Sequence, residues 1–313
     1  MQLRRHTLIN RHVIALLGAT ASGKTAVAIA IGNRLPIEVV SADSRQIRRH
    51  MSIGSAAPSD SEQAALPHHL IEIVEPDAPW TLSDFLTCAH SALEEIWERN
   101  HLPLVVGGSG QYIWALLEGW RPPSVPPNFE LRSQLEMEAS EHGSDLLHQR
   151  LRERDPSSAD RIDPRNTRRV IRALEIIEAT GAPIAALPRI TPPWPWRAIG
   201  LSWPREKLYE AADKRTEQMY ANGLIEETRK LITRYGDDFD ALRSIGHAEA
   251  ARVITGEWDE ETAIRHTKTS THRLIRHQNT WFSHSDKRIH WCNGTNHNAV
   301  IAAVEDATQA LVR

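Results

Sequence analysis

The sequence predicts an α/β protein, a parallel sheet flanked by helices and interrupted by an all-helical insertion. Three observations carry that expectation. Up to Trp120, short apolar runs alternate with helix-compatible stretches, the pattern of strand–helix–strand crossovers. The run Val13 to Leu17 is followed at once by Gly18-Ala19-Thr20-Ala21-Ser22-Gly23-Lys24-Thr25, a complete G-x-x-x-x-G-K-[ST] phosphate loop, and then by a helical stretch. From Arg121 the strand signals stop, and helical patterns run between two proline-rich stretches.

Each element follows from its residues. Val13 to Leu17, Ile37 to Ser41, Leu70 to Val74 and Leu104 to Val106 read as buried strands; Lys24 to Arg34, Ser83 to Arg99 and Gly110 to Leu117 read as helices. The loops Gly18 to Thr25, Asp43 to Gln46 and Gly107 to Ser109 each follow a strand directly, so one crevice at the strands' carboxyl ends should collect all three. Pro122-Pro123-Ser124-Val125-Pro126-Pro127 cannot continue a helix and reads as a stiff connector, and Thr191 to Trp196 closes the interval. Between them Asn128 to Glu141, Leu146 to Glu153 and Thr167 to Thr180 are helical, the last with Gly181 as its C-cap. Arg197 to Ser202 is a returning strand, Pro204 opens a long helix ending near Asn222-Gly223, and further helices reach about Phe282. The expected organisation is a P-loop nucleoside-triphosphate-hydrolase-like sheet core, residues 1–121 and 197–313, with an all-helical insertion at residues 122–196.

Composition excludes several classes. At 313 residues, 41% hydrophobic and 25% charged, the chain is globular, and two cysteines, Cys88 and Cys292, are too few for a disulfide framework. No apolar run approaches the roughly 18 residues of a membrane span, and the N-terminus lacks a signal-peptide stretch despite Arg4 and Arg5. The expectation is a cytoplasmic monomer with no membrane association. A net charge of −3 hides a basic segment: six Lys or Arg and one acid, Asp286, lie between Arg265 and His290. The five histidines there, His266, His272, His277, His284 and His290, have no metal-ligand spacing, so zinc is not expected.

The phosphate loop carries the sharpest chemistry. Its glycines let backbone N–H groups surround a phosphate, Lys24 adds a mobile positive charge, and Thr25 offers a hydroxyl to phosphate-bound Mg²⁺. Which phosphate ester binds is left open. Asp43, read from spacing alone, is a general base, a Walker-B-like Mg²⁺ ligand or a strand-end cap. Ser109 is a functional hydroxyl or a turn serine, Arg215 a site cation or a solvated surface arginine, and Gln46 a base-reading amide or a loop cap. Most of the ten tryptophans, with Trp194, Trp196 and Trp203 around the returning strand, read as core or hinge packing rather than base-stacking surfaces.

Taken together, Gly18 to Thr25, Ser41-Ala42-Asp43-Ser44-Arg45-Gln46, His68-His69-Leu70, Gly107-Gly108-Ser109-Gly110-Gln111-Tyr112 and Arg168-Arg169-Val170-Ile171-Arg172-Ala173-Leu174-Glu175 resemble, in order, the bacterial tRNA dimethylallyltransferase family. Arg215 with Met219 and Gly223-Leu224, Ile245-Gly246, and Gln278 with Thr280-Trp281-Phe282 extend the likeness over about residues 12 to 290. The resemblance implies transfer of a dimethylallyl group from dimethylallyl diphosphate to N6 of the adenosine 3′-adjacent to the tRNA anticodon, with release of pyrophosphate. It implies a diphosphate, not ATP, on Gly18, Thr20, Ala21, Ser22, Gly23, Lys24 and Thr25, with Mg²⁺ as cofactor on Thr25. Asp43 then matches the general base, and Ser109 and Arg215 join it as catalytic residues. The anticodon stem-loop would meet Asp43, Ser44, Arg45, Gln46, Arg168, Arg169, Arg172, Arg243, His247 and Arg276. Arg165, Arg168, Arg169 and Arg172 crowd the opening of one helix, where an anionic partner competes with ion pairs to Asp163 and Glu175 as the explanation.

The chain departs from the family pattern at Ser109, where Thr is usual, at Arg48 and Ala57, where Tyr and Lys are usual, and at Gly246-His247-Ala248, where Gly-Tyr precedes a basic residue. His277 stands in Arg276-His277-Gln278 in place of Arg. Rival readings are an adenylate isopentenyltransferase, a phosphate-loop kinase and an RNA-binding module without chemistry. The first has little use for a helical insertion, and the last would tolerate loss of Asp43.

Overall fold

The computed structural model describes residues 11–123, 125–184 and 194–312. Strand β1 (Val13–Leu17) leads through the phosphate loop into α1 (Lys24–Gly32), β2 (Ile37–Ala42), the short helices α2 (Ser52–Ser55) and α3 (Asp60–Ala65), and β3 (His68–His69). Next come α4 (Leu82–Glu98), β4 (Leu102–Gly107) and α5 (Gly110–Leu117). The chain then forms α6 (Phe129–His142), α7 (Ser144–Arg154), α8 (Pro156–Ala159) and α9 (Thr167–Thr180). After β5 (Trp196–Ser202) follow α10 (Arg205–Ala221), α11 (Leu224–Tyr235), a 3₁₀ turn at Asp240–Arg243, α12 (His247–Ile254), α13 (Glu260–Trp281), β6 (Ile289–Asn293) and α14 (His297–Val312). The chain packs as two compact units, Met1–Glu118 with Pro192–Arg313, and Gly119–Thr191.

In the first unit the described strands form one parallel sheet in the order β3-β2-β4-β1-β5-β6. Every residue of β1 is buried, as a strand covered on both faces requires. Ile14, Leu16, Val39, Leu104 and Val106 pack with Val27 and Ile31 of α1 and Val300 and Val304 of α14. Register aligns the strand ends: Leu17 pairs with Gly107 and Gly200, and Ala42 pairs with Gly107. Gly18, Asp43 and Gly108 therefore leave the sheet at one level, beside the strand where the crossover direction reverses.

One expected strand is corrected. Leu70 to Val74 is not a strand; β3 is the dipeptide His68–His69 that precedes it. Leu70 and Glu72 have φ of 65° and 50°, which breaks an extended run, and Val74 instead forms an isolated bridge with Arg48. At the opposite end of the sheet, buried Glu38 of β2 accepts both arms of Arg99 at 2.8 Å, His69 at 2.7 Å and His101 at 2.8 Å. The hydrogen bonds from Arg99, helped by the two imidazoles and opposed by burial, hold the Glu38 carboxyl down at about 2.

Among the described residues the regular elements of the second unit are all helices. Helix α9 starts at Asn166, whose side chain accepts the Arg169 amide, and ends at Gly181 in the left-handed conformation, φ 67°. Its Val170, Ile171, Leu174 and Ile177 recur at helical spacing and pack on Leu135, Leu147 and Leu151. Glu175, 1% exposed, accepts from the Asn128 amide at 2.6 Å, from Arg132 through two bonds of 2.9 Å, and from Arg172. Burial alone would raise the Glu175 carboxyl, but these donors hold it at about 2. Of the Thr191 to Trp196 stretch, the residues before Trp194 lie outside the described residues, as do Arg4, Arg5 and Ser124.

Candidate active site

The rim of the first unit collects the phosphate loop, the turn after β2 and the loop after β4. Gly23 takes the left-handed conformation at the N-cap of α1, φ 79°, so the first turn of α1 opens directly from the loop with its amides unused by the helix. Lys24 donates to the carbonyls of Gly18 at 3.0 Å and Ala19 at 2.9 Å, which holds the ammonium over its own loop. Burial pulls the Lys24 ammonium down to about 8, with Asp43 raising it and Arg215 lowering it further. Among the described residues the buried hydroxyl of Ser22 has no hydrogen-bond partner.

Asp43 follows β2 and accepts the Arg45 amide at 2.9 Å, a turn that keeps the carboxylate at the strand end. Ser109 accepts the Ser44 amide at 3.2 Å, tying that turn to the loop after β4. Arg215 reaches in from α10: one guanidinium nitrogen donates to the Thr20 hydroxyl at 3.2 Å and the other to the Ser55 carbonyl at 3.4 Å. Burial lowers the guanidinium's affinity for its proton, and the charge of Asp43 opposes that. An arginine read from sequence as either solvated or functional is thus set against the phosphate loop.

Gln278 of α13 completes the rim. Its oxygen accepts the Thr20 amide at 2.8 Å and its nitrogen donates to the Gly108 carbonyl at 3.1 Å, so one side chain ties the phosphate loop to the loop after β4. A Cβ on Gly108 would lie 2.3 Å from that nitrogen, which excludes any other residue there without displacing Gln278. Sequence reasoning matched Gln278 to a family motif without giving it a role, because its partners are remote in the chain.

The residues expected to meet RNA divide. Arg45 is exposed beside Asp43. Gln46 is engaged at both ends of its amide, accepting from Ser41 and donating to the Ala56 carbonyl, each at 3.1 Å, so its loop-capping partners are present. His247 is corrected: it is 1% exposed, with one ring nitrogen 3.0 Å from Glu227 and the other 3.1 Å from Ser244, and this buried imidazole offers no surface to RNA. Arg243 is exposed and pairs with Asp238 at 2.7 Å; Arg276 is exposed and bonds the Tyr209 hydroxyl at 3.2 Å. In the second unit Arg168 and Arg169 are exposed on α9, whereas Arg172 bonds Glu175 and the Val125 carbonyl, and Arg165 forks onto Asp163. The departure at Arg48 is structural, since its guanidinium closes the 75–78 turn through the carbonyls of Glu75 and Ala78.

Among the described residues no helix is long and apolar enough to cross a membrane, and no cluster of His, Cys, Asp and Glu is arranged to hold a metal alone.

Comparison with known proteins places this geometry. The IPP transferase family model matches residues 46–285, and an isopentenyl transferase model matches residues 11–70. A tRNA dimethylallyltransferase of Chloroflexus aurantiacus is 47% identical over 272 residues, covering 86% of this chain and 92% of the relative. Its counterpart in Thermomicrobium roseum is 44% identical over 285 residues, covering 90% and 86%. The solved full-length tRNA isopentenylpyrophosphate transferase of Bacillus halodurans superposes with a TM-score of 0.71 at 32% identity, covering 96% of this chain and 98% of that one. With its phosphate loop, its rim carboxylate and a family model matched from residue 46 to residue 285, the chain belongs to the IPP transferase family.

Proposed function

We propose that this protein is a tRNA dimethylallyltransferase. The N6 amine of the adenosine 3′-adjacent to the anticodon attacks the allylic C1 of dimethylallyl diphosphate, the C1–O bond breaks, and pyrophosphate leaves. The observation that carries the reading is the convergence of a phosphate loop, the Asp43 carboxylate and the half-buried Arg215 at one sheet rim of a chain in this family.

The residues divide the work by chemistry. An aromatic amine is a weak base and a poor nucleophile until its proton is removed, and Asp43 accepts that proton as the C–N bond forms. Charge develops on the departing diphosphate, and Lys24, Arg215 and the amides opening α1 stabilise it more strongly than they stabilise the bound substrate. Ser109 holds the Asp43 turn through Ser44. Gly18, Thr20, Ala21, Ser22 and Gly23 supply the wall of the loop.

Mg²⁺ fits this donor set. Thr25 stands beside Lys24 in the first turn of α1, the Ser22 hydroxyl, without a partner among the described residues, lies in the same loop, and Mg²⁺ is commonly held by one or two protein oxygens with phosphate and water. When bound through Thr25 it neutralises charge on the diphosphate. Ser44, Arg45 and Gln46 line the Asp43 turn where the adenosine would enter, while Arg168, Arg169, Arg172, Arg243 and Arg276 are candidates for the anticodon stem-loop phosphates. The enzyme acts as a cytoplasmic monomer in this reading. The test is mass spectrometry of tRNA after incubation with the protein, Mg²⁺ and dimethylallyl diphosphate, with AMP and ATP as parallel acceptors. A dimethylallyl adduct on the tRNA adenosine alone supports it; equal modification of AMP overturns it in favour of a nucleotide-modifying enzyme.

A further inference from the structure

We infer that Glu227, fixed by His247, is a positioning residue for Arg215, acting through the one-turn helix α2. Three contacts in series carry this. The two carboxylate oxygens of Glu227 accept the consecutive amides of Ile53 and Gly54, each at 2.9 Å. The next residue, Ser55, turns its carbonyl to Arg215 at 3.4 Å, and Arg215 reaches the phosphate-loop hydroxyl of Thr20 at 3.2 Å. Backbone bonds from the Ser55, Ala56 and Ala57 amides to the carbonyls of Met51, Ile53 and Ser52 close this single turn, but among the described residues its first-turn amides at Ile53 and Gly54 have only Glu227, so the carboxylate on them sets where the Ser55 carbonyl stands.

His247 in turn sets Glu227. The carboxylate can only accept, so the imidazole nitrogen 3.0 Å away carries a hydrogen, while Ser244 bonds the other nitrogen at 3.1 Å and fixes the ring plane. Gly54 makes room for this ring: a Cβ there would lie 2.0 Å from the imidazole Cε1. The residue that sequence reasoning assigned to RNA is therefore wedged between α2 and α11.

The inference rests on the reading of Arg215 as a group that stabilises the diphosphate, and the test separates the two. Binding of inorganic pyrophosphate with Mg²⁺ is measured by calorimetry, and KM for dimethylallyl diphosphate and for tRNA by steady-state kinetics. The variants are Glu227→Gln, His247→Ala, His247→Gln, Arg215→Ala and the double variant Glu227→Gln with Arg215→Ala, each checked for an intact unfolding transition. Glu227→Gln and His247→Ala should weaken pyrophosphate and raise KM for dimethylallyl diphosphate about tenfold, the effect of one displaced charge-assisted hydrogen bond, with KM for tRNA unchanged. His247→Gln retains an N–H for Glu227 and should stay within about twofold of the parent, the scatter of an uncoupled change. On the Arg215→Ala background Glu227→Gln should add nothing. A fully additive loss in the double variant, or an equal rise in KM for tRNA, overturns the relay. If Arg215→Ala leaves pyrophosphate binding intact, the role of Arg215 fails and the relay with it. Should Glu227→Gln not fold, the contrast between His247→Ala and His247→Gln decides the matter alone.

Discussion

The Thr20 amide donates to the side-chain oxygen of Gln278 at 2.8 Å, and the two residues stand 258 positions apart. The bond makes α13 a wall of the phosphate loop, and the Gln278 nitrogen carries the connection on to Gly108. Gln278→Glu keeps the acceptor for Thr20 but sets a second acceptor against the Gly108 carbonyl and adds negative charge beside the diphosphate. We expect KM for dimethylallyl diphosphate to rise about tenfold or more, with KM for tRNA little changed, in steady-state assays. A variant with parental kinetics in the diphosphate titration would remove Gln278 from the site.

Asp43→Asn preserves shape and the turn to the Arg45 amide but removes the proton acceptor. Turnover should fall about 10²-fold or more, the range of general-base catalysis, while tRNA affinity holds. Single-turnover rates at saturating tRNA and dimethylallyl diphosphate measure it. Turnover within about twofold of the parent would reassign the residue to a structural cap.

Lys24 gives the diphosphate step a pH signature. Its ammonium, brought down to about 8 by burial, is charged at neutral pH and loses its proton as the pH rises past that value. Attraction for the diphosphate is therefore present below about 8 and lost above it, so kcat/KM for dimethylallyl diphosphate should decline with unit slope on the alkaline side. Lys24→Arg stays charged across the range and should lack the decline, even with a lower plateau. Thr25→Ala should raise the Mg²⁺ concentration needed for half-maximal rate, read from a Mg²⁺ titration at fixed substrate.

Much of the rim was legible because it is local. The phosphate loop is a contiguous motif, and β1, β2 and β4 are short apolar runs whose ends lie in register by the geometry of a parallel sheet. What escaped depends on packing between distant segments. Nothing in the residues around Gln278 or Glu227 announces that their side chains reach Thr20 and Ile53. The resemblance set His247 among the residues meeting tRNA, and sequence records residue type and not burial. At β3 the apolar run Leu70 to Val74 outweighed two positions of positive φ that no pattern foretells in Leu or Glu. The edge strand β6, Ile289–Asn293, is short and carries His290 and Trp291, so its pattern lay hidden in a basic segment.

Glu38 makes the core sensitive to acid. Its carboxyl sits at about 2 in the fold, below the ordinary 4.5, so the unfolded chain takes up the proton first as pH falls. The stabilisation is complete above pH 4.5 and is lost as pH approaches 2. Glu38→Gln leaves Arg99, His69 and His101 around a neutral amide and should cost about 2 kcal/mol at pH 7, kept low because Arg99 is 45% exposed. Urea unfolding from pH 7 to pH 3 would show it, as the gap between parent and variant narrows with acidity.

On α9 the arginines differ in exposure. Arg172 lends its guanidinium to buried Glu175, so its removal would disturb the helical unit together with any RNA contact. Arg168 and Arg169 are exposed and give the cleaner test. Replacing both by Ala should raise KM for tRNA while leaving KM for dimethylallyl diphosphate unchanged, and the loss should be similar for tRNAs of different sequence, as phosphate contacts require. Each lost contact should also flatten the log–log dependence of tRNA affinity on salt by roughly 0.7 to 0.9. Affinity measured at several salt concentrations checks both effects. If the double variant binds tRNA as tightly as the parent with the same slope, this face of α9 is not an RNA surface, and the phosphate contacts belong to the basic residues of α13 instead.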